Sequence, residues 1–396
     1  MPDAKEKTAV PRLRFPEFRD AGPWEVKRLS EFVRQKSGNS KLIKGKLFSE
    51  PAPNLFPGFS ASGQDVWLDD FEHSGRAIIV SAVGARCGRC FLADGKWSAI
   101  ANTHILFPDM AGIDIRFLFE IVTREGFWII SGSGQPFVKV RDSLKQLVLI
   151  PSLPEQQKIA DCLSSLDDLI RAEEGQLATL KDHKKGLMQQ LFPREGETTP
   201  RLRFPEFRDA GPWEVKRLGD IGPVSMCKRV MKAQTAPTGD VPFYKIGTFG
   251  NQADAYISRE LYEEYKSKHP FPKKGDILIS AAGTIGRTVV YDGKPAYFQD
   301  SNIVWIANDE KIASNKFLNF AYQTVEWRTD DNTISRLYNE NLRSIKIPLP
   351  SLAEQQKIAD CLSSLDEVIE LETKKLEALK THKRGLMQQL FPQEVG

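Results

Sequence analysis

PRLRFPEFRDAGPWEVKRL occupies residues 11–29 and returns without a change at residues 200–218. EQQKIADCLSSLD at 155–167 recurs at 354–366, and GLMQQLFP at 186–193 recurs at 385–392. Such repeats decide the architecture before any secondary structure is read, because each copy must build the same unit. The first pair is offset by 189 residues and the second by 199, so the second half carries ten more residues between its repeated blocks. Between the blocks the halves diverge, with a faint echo. IIVSAVG at 78–84 aligns with ILISAAG at 277–283, Asp94-Gly-Lys96 with Asp292-Gly-Lys294, and Thr103-His-Ile105 with Ser301-Asn-Ile303. The chain therefore divides into a lead-in (1–29), a domain (30–150), a helix (151–193), a linker with the second lead-in (194–218), a second domain (219–348) and a second helix (349–396). Uniform drift does not leave identical flanks around a diverged middle. The pattern predicts two domains of one fold that present different surfaces to two related ligands.

The repeated helices carry their own grammar. Ser152-Leu-Pro-Glu155 reads as a capping box with proline in the first turn, and Ser351 with Glu354 keeps the box where Ala353 replaces the proline. Ile159, Leu163, Leu166, Ile170, Glu173, Leu177, Leu180, Lys184, Leu187 and Leu191 alternate spacings of four and three, a heptad seam. The copy gives Ile358, Leu362, Leu365, Ile369, Glu372, Leu376, Leu379, Lys383, Leu386 and Leu390. Each helix should run about 57 Å at 1.5 Å per residue. Both seams are broken by a Glu and a Lys eleven positions apart, so one occupies an a and the other a d position. An antiparallel register that sets Glu173 against Lys383 and Lys184 against Glu372 also matches every apolar layer. We therefore expect an intramolecular antiparallel coiled coil with a pseudo-twofold axis between Leu177 and Leu180. Its buried ion pairs would set register more than add stability.

Composition bounds the rest. The 396 residues carry 55 Lys+Arg against 52 Asp+Glu, a net charge of +3, with 41% hydrophobic residues and five cysteines. That is chain enough for two to three domains with cores of their own. No apolar run reaches the ~18 residues of a membrane span, and the first residues lack the apolar stretch of a secretory signal. Few cysteines, odd in number, argue against a disulfide framework and make the cytoplasm the expected compartment. The near-neutral total does not by itself point to nucleic acid.

The diverged domains read as α+β. Strands are expected at 77–82, 100–107 and 146–150, with a helix at 115–124, in the first. In the second they fall at 241–246, 276–281, 288–291 and 301–306, with a helix at 314–327. The duplicated RLRFPEF…WEVKRL lead-ins, the Gly-x-x-Gly loops after a strand and the PSL-x-EQQKIA helix openings together resemble the specificity subunits of Type I restriction-modification systems. The resemblance implies two target-recognition domains joined by the coiled coil, each reading one half of a split double-stranded DNA site. It further implies that the shared helices fix the spacing and dock two methyltransferase subunits, with restriction subunits joining outside. S-adenosylmethionine would then belong to the methyltransferases, and ATP and Mg to the restriction subunits.

Local basic clusters fit that implication despite the neutral total: Lys41, Lys44 and Lys46, Arg86 and Arg89, Lys228, Arg229 and Lys232, and Lys266, Lys268, Lys273 and Lys274. Phosphates are held by such cations, whereas base edges are read by Arg, Asn, Gln, Ser and Thr. Candidate DNA contacts in the first domain are the lysines 41, 44 and 46, Arg86, Arg89, Asn102, His104, Ser133 and Gln135. In the second they are Lys228, Arg229, Lys245, Thr248, Thr284, Arg287, Gln299, Ser301, Asn302, Arg336 and Asn339. Each of these is also readable as a solvated or fold-stabilising polar residue.

Catalytic signatures are missing. Gly283-Thr-Ile-Gly-Arg287 lacks the Gly-Lys-Ser/Thr of a phosphate loop, and neither an adenine-methylation motif nor a methyl-donor fingerprint is present. Cys87-Gly-Arg-Cys90 supplies only two of four zinc ligands. The expectation is a non-catalytic subunit. The competing reading is a two-domain protein-binding scaffold without nucleic acid, which a salt series on duplex binding separates from the first.

Overall fold

This computed structural model describes residues 10–109, 111–132, 134–327 and 337–392; Ser133 and Arg336 lie outside them. The two EQQKIA stretches open helices of 39 residues, Leu153–Leu191 and Leu352–Leu390, free of proline after the first turn. The Ser351 hydroxyl caps the second by accepting the Glu354 N–H at 3.3 Å. The reciprocal half of the expected capping box is not formed, because both glutamates are engaged elsewhere. Among the described residues, no helix is long and apolar enough to cross a membrane.

The chain forms two units, residues 1–174 with 374–396, and residues 175–373. Each long helix thus gives its first part to one unit and its last part to the other. The change of unit falls after Glu174 in one helix and after Thr373 in the other, positions 199 apart like the repeated blocks within the helices.

Within each unit the helix segments run antiparallel, and every seam residue is buried or half-buried. The register differs from the expected one. Lys383 meets Asp167 at 2.7 Å, six residues before Glu173, and Lys184 meets Asp366 at 2.6 Å, six residues before Glu372. Glu173 pairs instead with Lys375 at 2.8 Å. A slip of one heptad keeps seam facing seam but sets Glu173, Lys184, Glu372 and Lys383 opposite leucines, so contacts outside the apolar seam decide. In the first unit they are the buried Glu120, a second carboxylate for Lys383 at 3.5 Å, and the core that receives the helix end.

The first unit pairs two four-stranded sheets. One orders Val33–Ser37, Thr103–Pro108, Ala77–Ser81 and Cys90–Ala93; the other orders Gly63–Leu68, Phe56–Ser60, Lys96–Ala99 and His73–Ser74, with one parallel pair. The second unit repeats this order with Val224–Ser225, Ile303–Ile306, Ile277–Ser280 and Thr288–Val290, and with Tyr256–Ile257, Val241–Tyr244 and Tyr297–Phe298. The α+β expectation and its main strands hold. The ladder corrects one alignment, however. Ser81 faces Thr103 while Ser280 faces Ile303, so Thr103 corresponds to Ile303 rather than Ser301. The helix expected at 314–327 ends at Ala321, and Arg259–Lys268 forms a helix that was not expected.

Each core joins lead-in, central sheet, small helix and both long helices. In the first unit Trp24, Phe117 and Phe391 meet with ring centroids 5.3–6.0 Å apart. In the second, Trp213, Phe317 and Phe192 meet at 5.3–6.1 Å. Edge-to-face and stacked aromatic contacts of this kind add about 0.5–1.5 kcal/mol each beyond area burial.

Candidate nucleic-acid interface

The repeated motifs are first of all mechanical. Arg14 forks onto Glu155 at 2.7 Å through Nε and Nη2, and Arg203 onto Glu354 at 2.6 and 2.7 Å. These glutamates are 1% exposed, so each lead-in is locked to its helix by a buried charge pair. The next residue fixes the small helix. Gln156 accepts the Asp114 N–H and Gln355 the Ser314 N–H, both at 2.9 Å, while their amides donate to Pro151 and Pro350 carbonyls. The sequence reading missed these roles. Their signal was the identity of Arg, Glu and Gln between the two copies.

On that frame the diverged loops gather at one end of each central strand. In the first unit Ser81 N–H donates to Arg89 O and Gly88 N–H donates to Ser81 O, both at 2.8 Å, closing the 82–88 loop. In the second, Ser280 N–H donates to Arg287 O and Gly286 N–H to Ser280 O at 2.9 and 3.0 Å, closing a loop one residue shorter. The Ser280 hydroxyl braces that loop by accepting the Arg287 N–H and donating to Thr284 O. Glycine is required at the loop ends. Gly88 has φ +85°, and Gly286, at φ +79°, would drive a Cβ to 2.1 Å from the Trp327 ring.

Two further segments reach the same strand ends. Ala82 N–H donates to Asn102 O and Ala281 N–H to Asn302 O, at 2.9 and 2.8 Å. Ala82 O and Ala281 O then accept from Val138 and Leu337 N–H. Gly84 N–H donates to Pro136 O, which brings Gln135 beside the Arg86–Arg89 loop. Lys41 flanks the same corner, because Ala101 N–H donates to the neighbouring Leu42 O.

Other candidates serve the fold. Lys44 pairs with Asp65 on the second sheet, and Lys46 ends the same short turn. His104 lies within the sheet, its Nδ1 3.3 Å from the Gln35 amide, and burial holds its pKa below the usual imidazole value. Arg229 is held by Asp300 at 2.8 Å and Lys245 by Asp254 at 2.8 Å. Thr248 and Gln299 accept the backbone N–H of Lys245 and Ile246. Lys228 is exposed and its carbonyl accepts the Tyr297 hydroxyl. Asn339 is exposed at the start of helix Asn339–Ser344, which packs on Leu218–Ile221. The structure thus brings together Lys41, Arg86, Arg89, Asn102 and Gln135 in one unit, and Thr284, Arg287, Ser301 and Asn302 in the other. Burial pushes the Cys90 thiol up to about 12, and its Sγ lies 3.5 Å from the Val122 carbonyl, a packing role.

Residues 22–182 and 211–381 each match the family described as the Type I restriction modification DNA specificity domain. A putative type I restriction enzyme specificity subunit of Haemophilus influenzae, S.HindORF215P, is 38% identical over 347 residues, 86% of this chain and 87% of its own length. The MjaVIII specificity subunit of Methanocaldococcus jannaschii is 26% identical over 417 residues, covering 96% of this chain and 93% of that one. Among solved structures, a Type I restriction-modification S subunit from M. genitalium shares the fold with a TM-score of 0.65 at 18% identity, over 98% of this chain and all of its own.

Proposed function

The chain belongs to the Type I restriction-modification DNA specificity family, a DNA sequence-recognition subunit, and from that premise we propose how its parts divide the work. Each diverged domain reads one half of a bipartite, asymmetric duplex target through the loops at its central strand end. The identical lead-ins and long helices offer two equivalent surfaces to two identical methyltransferase subunits, and the helices set the base pairs between the half-sites. Restriction subunits complete the assembly. The chain itself is non-catalytic: S-adenosylmethionine is held by the methyltransferases, and ATP and Mg by the restriction subunits.

The observation that carries this reading is the recurrence of one loop cluster on one frame with polar side chains that are partly shared and partly changed. Arg89 and Asn102 at the first strand end recur as Arg287 and Asn302 at the second, while Arg86 and Gln135 crowd the first and Thr284 the second. Same scaffold with changed polar tips is what two different half-sites demand.

The test is to map methylated adenines in DNA exposed to the chain with its methyltransferase partner. Exchanging residues 30–150 for those of a relative should alter one half-site alone. Binding should fall steeply with salt, as phosphate contacts require. A swap that altered both half-sites together would remove the modular reading.

A further inference from the structure

We infer that Asn102 is the base-reading residue of the first unit and that it reads an adenine. This deepens the recognition reading and rests on it. Of the polar side chains at that strand end, Lys41, Arg86, Arg89, Asn102 and Gln135 make no side-chain hydrogen bond or ion pair among the described residues, whereas His104 and Lys44 are engaged within their own sheets. Lys41 and the arginines are long cations suited to phosphates or to steering, and Gln135 lies on an exposed loop beside Gly134.

Asn102 differs because its backbone is fixed. Its carbonyl accepts the Ala82 N–H at 2.9 Å, and the next residue, Thr103, is buried with its hydroxyl donating to Ile100 O at 2.7 Å. Between these anchors Asn102 adopts φ +65°, a left-handed corner with an exposed side chain. Glycine would meet that backbone demand more cheaply, so the fold does not require the carboxamide. A short side chain on an immobile corner has little freedom to lose on binding.

The corner recurs in the second unit. Ser301 takes φ +54°, and Asn302, next in the chain, supplies the carbonyl to Ala281. The left-handed residue is thus one position earlier than in the first unit, and the Ser301 hydroxyl donates to Asp300 at 3.3 Å, while the ladder counterpart of Asn102 is Asn302. An asparagine carboxamide donates to N7 and accepts from the N6 amino group of adenine in the major groove, and matches no other base edge there as well.

The test selects sequences from a randomised duplex pool with the full chain and its methyltransferase partner. Asn102→Gly should melt with the wild type, leave the second half-site unchanged, and lose roughly 10- to 100-fold discrimination at one A·T pair of the first half-site. Asn102→Asp, which also tolerates the corner, should shift preference at that pair toward cytosine, whose amino group a carboxylate accepts. Full discrimination at every position in both variants, or loss spread equally over both half-sites, overturns the assignment. A wild-type complex that selects no sequence overturns the recognition reading and the assignment with it.

Discussion

Two buried charges show what single residues contribute. Glu155 is 1% exposed and is satisfied by Arg14 and by the Trp24 indole at 3.3 Å. Arg14→Ala leaves that carboxylate buried with one neutral donor, a loss of about 3–5 kcal/mol. Arg14→Met with Glu155→Met should recover most of it, since an apolar pair has no desolvation to repay; chemical denaturation of the three variants measures both. Glu120 is the other. Burial raises its carboxyl above the usual carboxylate range against the pull of Lys383, with Asp167 adding to the rise. A folded value above the unfolded one means that ionising Glu120 costs stability. That cost is absent below the unfolded value and complete above the folded one. Glu120→Gln should therefore gain on the wild type as pH rises through the acid range, with Lys383 still held by Asp167. Melting curves from pH 4 to 8 showing a flat or reversed difference would contradict this.

At the scale of elements, the long helices test the register. Lys383→Glu sets a third carboxylate beside Glu120 and Asp167 and should cost at least ~3 kcal/mol. Adding Asp167→Lys should restore most of that loss and adding Glu173→Lys should not; the opposite ranking in thermal melts would favour the expected register. The seam itself was legible, because spacing alone places Ile159 through Leu191 on one face. Its phase was not. A heptad slip keeps seam facing seam while setting Glu173, Lys184, Glu372 and Lys383 opposite leucines, and what fixes the phase are contacts far apart in the chain: Glu120 from a small helix, and Phe391 lodged between Trp24 and Phe117. The central strands were legible as apolar runs between glycines. Helix Arg259–Lys268 was not, since its sequence is polar almost throughout and only Tyr262 is fully buried. The candidate interface was legible as a list of polar residues. Which of them are committed to the fold, as Gln299 and Arg229 are, depends on partners that only the folded chain supplies.

At the scale of the whole molecule, the second unit is continuous in sequence and the first is not. The first unit's core includes Leu390 and Phe391, with Leu386 and Met387 packed on it. A chain ending at Gly385 should lose more stability there than the ~3–5 kcal/mol of a single Phe→Ala change. Hydrogen exchange should report lost protection at Ile78–Ser81 and retained protection at Ile277–Ser280. Equal loss in both units would show that they do not fold separately.

That interleaving also orders events on the ribosome. Domains usually complete themselves in the order of synthesis, amino-terminal first. Here everything the second unit needs has been made once Thr373 is translated, while the first still awaits the segment that plugs its core. The half begun first is finished last, and an interrupted nascent chain exposes the apolar groove around Trp24 rather than anything near its own growing end.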